Sequence, residues 1–286
     1  MPAGPLLMEV VATILSVICA ALVLVVLAMR RRLMRVDRAL DRMTMQLEHL
    51  QGAFHRFVPQ DVVEDIIHRG VATRGERREV TVLFADLVGF TALSERVEPE
   101  TVVRVLNGYF QTVTRAIASH NGFVSKFMGD GLMAIFGAPE PNPWQAMDGV
   151  HAALAMRDAL RRYNLELSAA GHPELAISVG LHRGEVIAGV IGSAELVEYT
   201  VIGDTVNTAA RIESLTRRHA CDILISESVR EKLDARFRVE ERPPTEVKGK
   251  QEAVATWAVV AFTAPAHGFA SPLPDGGVSP ARSAIE

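Results

Sequence analysis

Cysteine is nearly absent from this 286-residue chain, since Cys19 and Cys221 are its only two and lie about two hundred positions apart. That scarcity excludes a disulfide framework and a thiolate metal centre, and it suits a reducing compartment. Basic charge is not in excess either: 30 Lys+Arg stand against 34 Asp+Glu, for a net charge of −4. Residues 1–60 hold seven arginines and four acids, which leaves 23 basic against 30 acidic residues for the remainder. A body with that balance argues against nucleic acid as a partner. Aromatic residues are few, at 6%, but 49% of the chain is apolar. That is enough for one globular domain of about 180–200 residues with extensions, and it excludes a repeat array or a wholly disordered chain.

Charge is missing altogether from Val10 to Met29. Twenty helical residues rise about 30 Å, the thickness of a bilayer's hydrocarbon core, so residues 10–29 are expected to form one transmembrane helix. A cleaved signal peptide fits poorly, because no basic segment precedes the apolar run. Arg30, Arg31, Arg32 and Arg35 follow the run, whereas residues 1–9 carry no basic side chain. The positive-inside rule then leaves 1–9 as a short non-cytoplasmic N-terminus. The chain becomes a single-pass protein of the plasma membrane with everything after Met29 in the cytoplasm.

Leu33, Val36, Leu40, Met43, Leu47, Leu50, Phe54 and Phe57 recur at alternating spacings of three and four. This heptad stripe predicts a parallel coiled-coil stalk over 30–58, although one amphipathic helix packed on its own domain would show the same pattern. Pro59 interrupts the stripe, and 59–78 reads as a coupling helix and linker.

The folded domain is expected over 79–262, with 263–286 left as a disordered tail rich in Pro, Gly, Ser and Ala. An apolar strand over 79–86 ends on Asp86, and Gly89-Phe90-Thr91 opens a short helix. Pro99 starts a longer helix that presents Val102, Val103, Leu106, Phe110, Val113 and Ile117 on one face. Two strands, 123–127 and 132–136, flank a hairpin in which the Asp130-Gly131 pair is the turn signal. A helix follows over 144–167, then two strands, 175–182 and 185–191, on either side of Arg183-Gly184. The order βαββαβ predicts an α+β domain of ferredoxin-like type, a mixed or antiparallel sheet with its helices on one face. Beyond it come a helix over 204–217, a strand at 223–225, a short helix, and strands at 237–239 and 256–260.

Asp86 at a strand end and Asp130 at a hairpin tip can converge at one sheet edge. Two carboxylates without His or Cys suit hard divalent cations, Mg²⁺ or Mn²⁺, better than zinc. Taken singly, each also fits a bland role, Asp130 in turn chemistry and Asp86 as a helix cap.

Four blocks in order carry more. They are Phe84-Ala-Asp-Leu-Val-Gly-Phe-Thr91, Lys126-Phe-Met-Gly-Asp-Gly131, Tyr199-Thr-Val-Ile-Gly-Asp-Thr-Val-Asn-Thr-Ala-Ala-Arg-Ile-Glu213 and Val247-Lys-Gly-Lys250. Together they resemble the class III adenylate/guanylate cyclase family. The resemblance implies a lyase that converts ATP into 3′,5′-cyclic AMP and pyrophosphate using two divalent cations. It makes Asp86 and Asp130 metal ligands, with the Leu87 carbonyl as a further one. It has Asn207 orient the ribose, Arg211 stabilise the transition state, and Lys248 hold the phosphate tail, with Lys250 as an alternative. Gly89, Phe90 and Thr91 would offer backbone N–H groups to the β- and γ-phosphates.

Lys126 stands where adenylate cyclases of this family hold lysine and guanylate cyclases hold glutamate, and an ammonium can donate to adenine N1. The usual aspartate partner is replaced here by Thr200, as in a subclass of which several members respond to bicarbonate. The family's active sites are shared between subunits, so the resemblance also implies a head-to-tail homodimer.

Overall fold

The computed structural model describes residues 75–193, 197–245 and 253–263, together with Met29, Arg30, Arg32, Met34 and Met43 to Met45. Two compact units divide the chain, Met1–Gly70 and Val71–Glu286. In the first, the seven described residues are helical and exposed. The expected membrane span, stalk and tail otherwise lie outside the described residues, as does the coupling segment up to residue 74; its last three residues, 76–78, expected as linker, are the start of the first strand of the second unit. Among the described residues, no helix is long and apolar enough to cross a membrane.

The second unit is built on one eight-stranded mixed sheet, with strands in the order β2-β3-β1-β4-β6-β8-β7 and β5 paired to β4. Chain order runs β1 Glu76–Val88, α1 Phe90–Ser94, α2 Pro99–Ala118, β2 Gly122–Met128, β3 Gly131–Phe136 and α3 Gln145–Ala169. It continues through β4 Ala176–Gly192, β5 Val197–Ile202, α4 Asp204–Leu215, β6 Ile223–Ser226, α5 Glu227–Arg230, β7 Phe237–Thr245 and β8 Val254–Phe262. The first part is the expected βαββαβ unit, with the strand order β2-β3-β1-β4 of a ferredoxin-like sheet. Among the described residues, only β4 and β6 pair in parallel; every other pairing is antiparallel.

β1 reads as a continuous apolar run because both of its faces are covered. Leu83, Ala85 and Leu87 point into the main core with Val105, Tyr109, Val113 and Ile117 of α2 and Val150, Met156 and Leu160 of α3. Val80 and Val82, on the alternate face, are fully buried as well. The buried side of α2 is turned from the expected one: Tyr109 and Val105 lie inside while Val103 is exposed.

Helices cover both faces of the sheet, contrary to the one-faced arrangement expected. α4 packs opposite α2 and α3, with Ile212 and Leu215 in a separate cluster with Leu224 and Ala258. Two glycines of β4 permit this. A Cβ at Gly180 would sit 2.1 Å from the Glu213 backbone nitrogen, and one at Gly184 would sit 2.7 Å from Thr205 Oγ1.

Gly184 therefore marks a helix contact and not a turn, and the two strands expected on either side of Arg183-Gly184 are the single strand β4. Thirteen consecutive register pairs with β1, from Glu76↔Ala188 to Val88↔Ala176, hold it straight through that point, and the Arg183 side chain pairs with Glu79 on β1. β5 is an element that the sequence reading passed over. β7 is also longer than expected, and α4 ends at Leu215.

Gly180→Ala forces α4 away from the sheet. The expected outcome is a loss of about 1–3 kcal/mol, read as a fall in Tm of several degrees by calorimetry. An unchanged Tm would show that the α4 contact has slack.

Candidate active site

The β2–β3 hairpin closes through a two-residue turn, Gly129-Asp130, between the paired residues Met128 and Gly131. Gly129 supplies the positive φ, 67°, so the turn lies one residue earlier than the Asp-Gly signal implied. Gly131 has a different task. A Cβ there would sit 3.1 Å from both the Ala85 carbonyl and Asp86 Oδ1, so its lone hydrogen lets the hairpin tip lie against β1. The result is the convergence expected of Asp86 and Asp130. Asp86 does not end its strand, since β1 runs two residues further and Asp86 pairs with Ser178. Leu87, beside it, is buried.

Burial holds the Asp86 carboxyl above the ordinary carboxylate range, and the neighbouring Asp130 charge pushes it further; Arg217 and the Leu87 N–H partly offset the rise. Glu213 on α4 is likewise raised by burial and by Asp86, while a hydrogen bond from Ser178 opposes the shift. Ser178 Oγ contacts Glu213 and lies 3.3 Å from the Asp86 carbonyl oxygen. Tyr109 is fully buried beneath this acidic group, and its phenol is raised by burial and by Asp86, Asp130 and Glu213.

One cation enters: Arg217 Nη2 donates to Asp86 Oδ2 at 3.2 Å. From sequence alone Arg217 would be taken for a solvated surface charge; its side chain is 59% exposed and yet pairs with Asp86. Among the described residues, no group of three or more His, Cys, Asp or Glu side chains forms a metal cage. The chain thus offers a hard cation two crowded, under-compensated carboxylates and leaves the other positions to backbone, water or a bound phosphate. The donor set fits Mg²⁺ or Mn²⁺.

Gly89, φ 78°, turns the chain from β1 into α1, and no side chain caps that helix. The N–H groups of Phe90 and Thr91 are therefore free of a capping side chain at the end of the strand that carries Asp86.

A second set of residues gathers around β5 and α4. Thr200 on β5 is buried, and the Ser125 hydroxyl lies 3.2 Å from both its Oγ1 and the Tyr199 carbonyl. Lys126, the next residue on β2, has its ammonium 3.0 Å from Glu198 Oε1. Lys126 and Thr200 are thus brought to one place, together with Glu198, which the sequence did not single out. Asn207 and Arg211 lie one turn apart on α4, on the side away from the inward Thr205, Thr208, Ala209 and Ile212. Asn207 is exposed; Arg211 is half-buried, and its Nη1 is buried without a hydrogen-bond partner among the described residues. No hydrogen bond or ion pair among the described residues joins this set to Asp86 and Asp130. Lys248 and Lys250 lie outside the described residues.

Residues 73–261 match the family model of the adenylate and guanylate cyclase catalytic domain. The chain belongs to this family. An adenylate cyclase of Anabaena cylindrica is 36% identical over 227 residues, covering 76% of this chain and 44% of that protein. Adenylate cyclase 1 of Rhizobium meliloti is 30% identical over 227 residues, 75% of this chain and 34% of its own. This cyclase-family chain therefore spans less than half the length of either relative. Among solved structures, the guanylyl cyclase Cya2 is similar at 37% identity and a TM-score of 0.63, covering 67% of this chain and 96% of that one. The adenylyl cyclase CyaB from P. aeruginosa is similar at 30% and 0.62, covering 66% and 96%.

The raised carboxyls of Asp86 and Glu213 have a thermodynamic sign. A native state that binds protons more tightly than the unfolded chain loses stability as pH rises through the window above the ordinary values of 3.8 and 4.5, and the cost is fully present at neutral pH. Asp130→Asn removes one cause of the shift. We expect its Tm without added cations to rise by about 1–3 °C at pH 7, modestly because the Asp86 carboxylate is partly solvated, and the gain to vanish on acidification as the Asp86 carboxyl takes up its proton. Mn²⁺ should raise the Tm of the parent protein but not that of the variant. A lower Tm for the variant at pH 7 would refute the crowding.

Proposed function

We propose that the protein is a membrane-anchored adenylate cyclase that converts ATP into 3′,5′-cyclic AMP and pyrophosphate in cyclic-nucleotide signalling. The observation that carries the proposal is the division of the site residues. Two carboxylates crowd one sheet edge, while Asn207 and Arg211, whose Nη1 finds no hydrogen-bond partner among the described residues, lie on the opposite side of α4 from its buried residues. The relatives described as adenylate cyclases support the reaction class.

In the reaction, the ribose 3′-oxygen attacks the α-phosphorus and pyrophosphate leaves in line. Asp86 and Asp130, with the Leu87 carbonyl as a further ligand, would hold two divalent cations, which would supply charge neutralisation for the triphosphate and for the developing alkoxide. The chain's own part is positioning. The Gly89–Thr91 turn receives the β- and γ-phosphates on its backbone N–H groups, and Lys248 adds a countercharge to the phosphate tail. Asn207 orients the ribose, and the Arg211 guanidinium meets the charge that builds on the equatorial oxygens. No nucleophilic side chain is needed. An arginine nitrogen that is buried without a partner is poorly satisfied until such an oxyanion arrives.

Base choice rests on Lys126, whose ammonium donates to adenine N1, and on Thr200, whose hydroxyl accepts from the adenine amino group. GTP is the second reading, favoured by the similarity to a guanylyl cyclase, but guanine presents N–H donors where Lys126 has only donors to offer.

The outward face of α4 supports a head-to-tail homodimer in which Asp86 and Asp130 of one copy complete a site with Lys126, Thr200, Asn207 and Arg211 of the other. The apolar run 10–29 and the heptad stripe would anchor and pair the chains at the plasma membrane, with the catalytic unit cytoplasmic.

Purified full-length protein in lipid with Mn²⁺ should form cyclic AMP from ATP and little cyclic GMP from GTP, and Asp130→Ala should form neither. No product from either nucleotide, despite binding, would leave a silent nucleotide-sensing dimer instead. Mixing an Asp86→Ala chain with an Asn207→Ala chain should restore one active site per heterodimer, up to half of the parent rate per dimer. Isolated heterodimers without activity would refute the shared site.

A further inference from the structure

The contact between β2 and β5 holds more than the two residues that read the base. β2 breaks register between Val124 and Lys126, a bulge that re-aims the strand where it meets β5. Ser125 then reaches Tyr199 and Thr200, while Lys126 Nζ donates to Glu198 Oε2 at 3.2 Å and lies 3.0 Å from Oε1. The ammonium thus donates to Oε2 and lies close to Oε1, which is buried and has no hydrogen-bond partner among the described residues. Glu198 and Thr200 are two apart on a strand and hence on the same face, so the carboxylate sits beside the hydroxyl in the base-reading cluster. Both partners of the ion pair are partly buried, with side-chain exposures of 34% for Lys126 and 41% for Glu198, and neither is a freely solvated surface charge.

A lysine on a flexible four-carbon stem loses rotamer freedom when it must point one N–H at a purine nitrogen. A carboxylate that already holds the ammonium removes that cost before the nucleotide arrives, and two of its three N–H groups stay available. The carboxylate also has a chemistry of its own. Left without a partner, it is an acceptor able to take the N1–H and N2–H of guanine, the opposite preference to that of Lys126. Paired, it is cancelled.

We propose that Glu198 is a positioning residue for purine selection: it fixes the Lys126 ammonium beside Thr200, and Lys126 in turn masks a carboxylate that would otherwise accept guanine. This deepens the adenylate cyclase reading and rests on it for the place of the base.

Equilibrium displacement of a fluorescent nucleotide from the full-length chain in detergent, by ATP and by GTP, tests the proposal apart from turnover. Glu198→Gln should weaken ATP binding about fivefold or more and leave GTP binding nearly as it was; Glu198→Asp should recover part of the loss. Lys126→Gln should shift the ATP-to-GTP affinity ratio toward GTP, and that shift should disappear in the Lys126→Gln/Glu198→Gln double variant. This non-additivity would not arise from a merely structural ion pair. Melting curves of the four variants establish that each is folded, with Glu198→Asp standing in should Glu198→Gln melt early.

ATP binding unchanged in Glu198→Gln, or a Lys126→Gln shift that persists without Glu198, overturns the proposal, as does a parent chain that binds neither nucleotide. A parent chain that binds ATP, shows this pattern and forms no cyclic product would refute the cyclase activity and leave the role of Glu198 standing.

Discussion

The contact on which the rest depends is the backbone-to-backbone approach of α4 to β4 at Gly180. A helix can lie that close to a sheet only where side chains are missing, and this one contact determines much of what the unit can do. It puts Glu213 against Ser178 and next to Asp86 on the inner side of α4, and it leaves Asn207 and Arg211 on the outer side. The same helix therefore has two different faces, one that supports the acidic edge of its own sheet and one that carries Asn207 and Arg211 away from it. Thr205, whose hydroxyl donates to the Glu185 carbonyl at 2.7 Å, pins its first turn and keeps that division from rotating.

Around this contact the sheet is closed on both sides, and the two carboxyls that burial raises, Asp86 and Glu213, lie together at one edge of it. Tyr109, Ser178, Glu213 and Asp86 form a patch in which burial works against ionisation and one exposed arginine answers several carboxylates. Such a patch costs stability in the absence of cations, and a protein keeps it where charge must be bound.

Much of this was legible in the sequence because the relevant signals are local. The βαββαβ order, the hairpin at Asp130 and the pairing of Asn207 with Arg211 follow from period, turn chemistry and i,i+4 spacing. Two of the errors share a cause, which is glycine. Gly184 reads as a turn along the chain, but in space it is the seat of α4. Gly131 reads as half of an Asp-Gly turn, but it is the clearance for Asp86. A glycine's meaning depends on what approaches it, and that neighbour can be thirty residues away, as Glu213 is from Gly180. Glu198 and Arg217 were missed for a related reason. Their partners, Lys126 and Asp86, come from strands distant in sequence, and a charged residue beside a motif looks like solvated surface until the sheet brings its partner to it. β5 itself alternates over only six residues inside a longer motif, too short for period alone to separate it from the flanking turn.

Arg217 also gives the acidic edge a dependence on its medium. Its side chain is 59% exposed, whereas Asp86 is 33% exposed and is crowded from within the fold. Dissolved ions weaken attraction between exposed groups more than repulsion between sheltered ones. Rising ionic strength therefore loosens the arginine more than it relaxes the crowding of the two aspartates, so the electrostatic strain of this edge grows with salt.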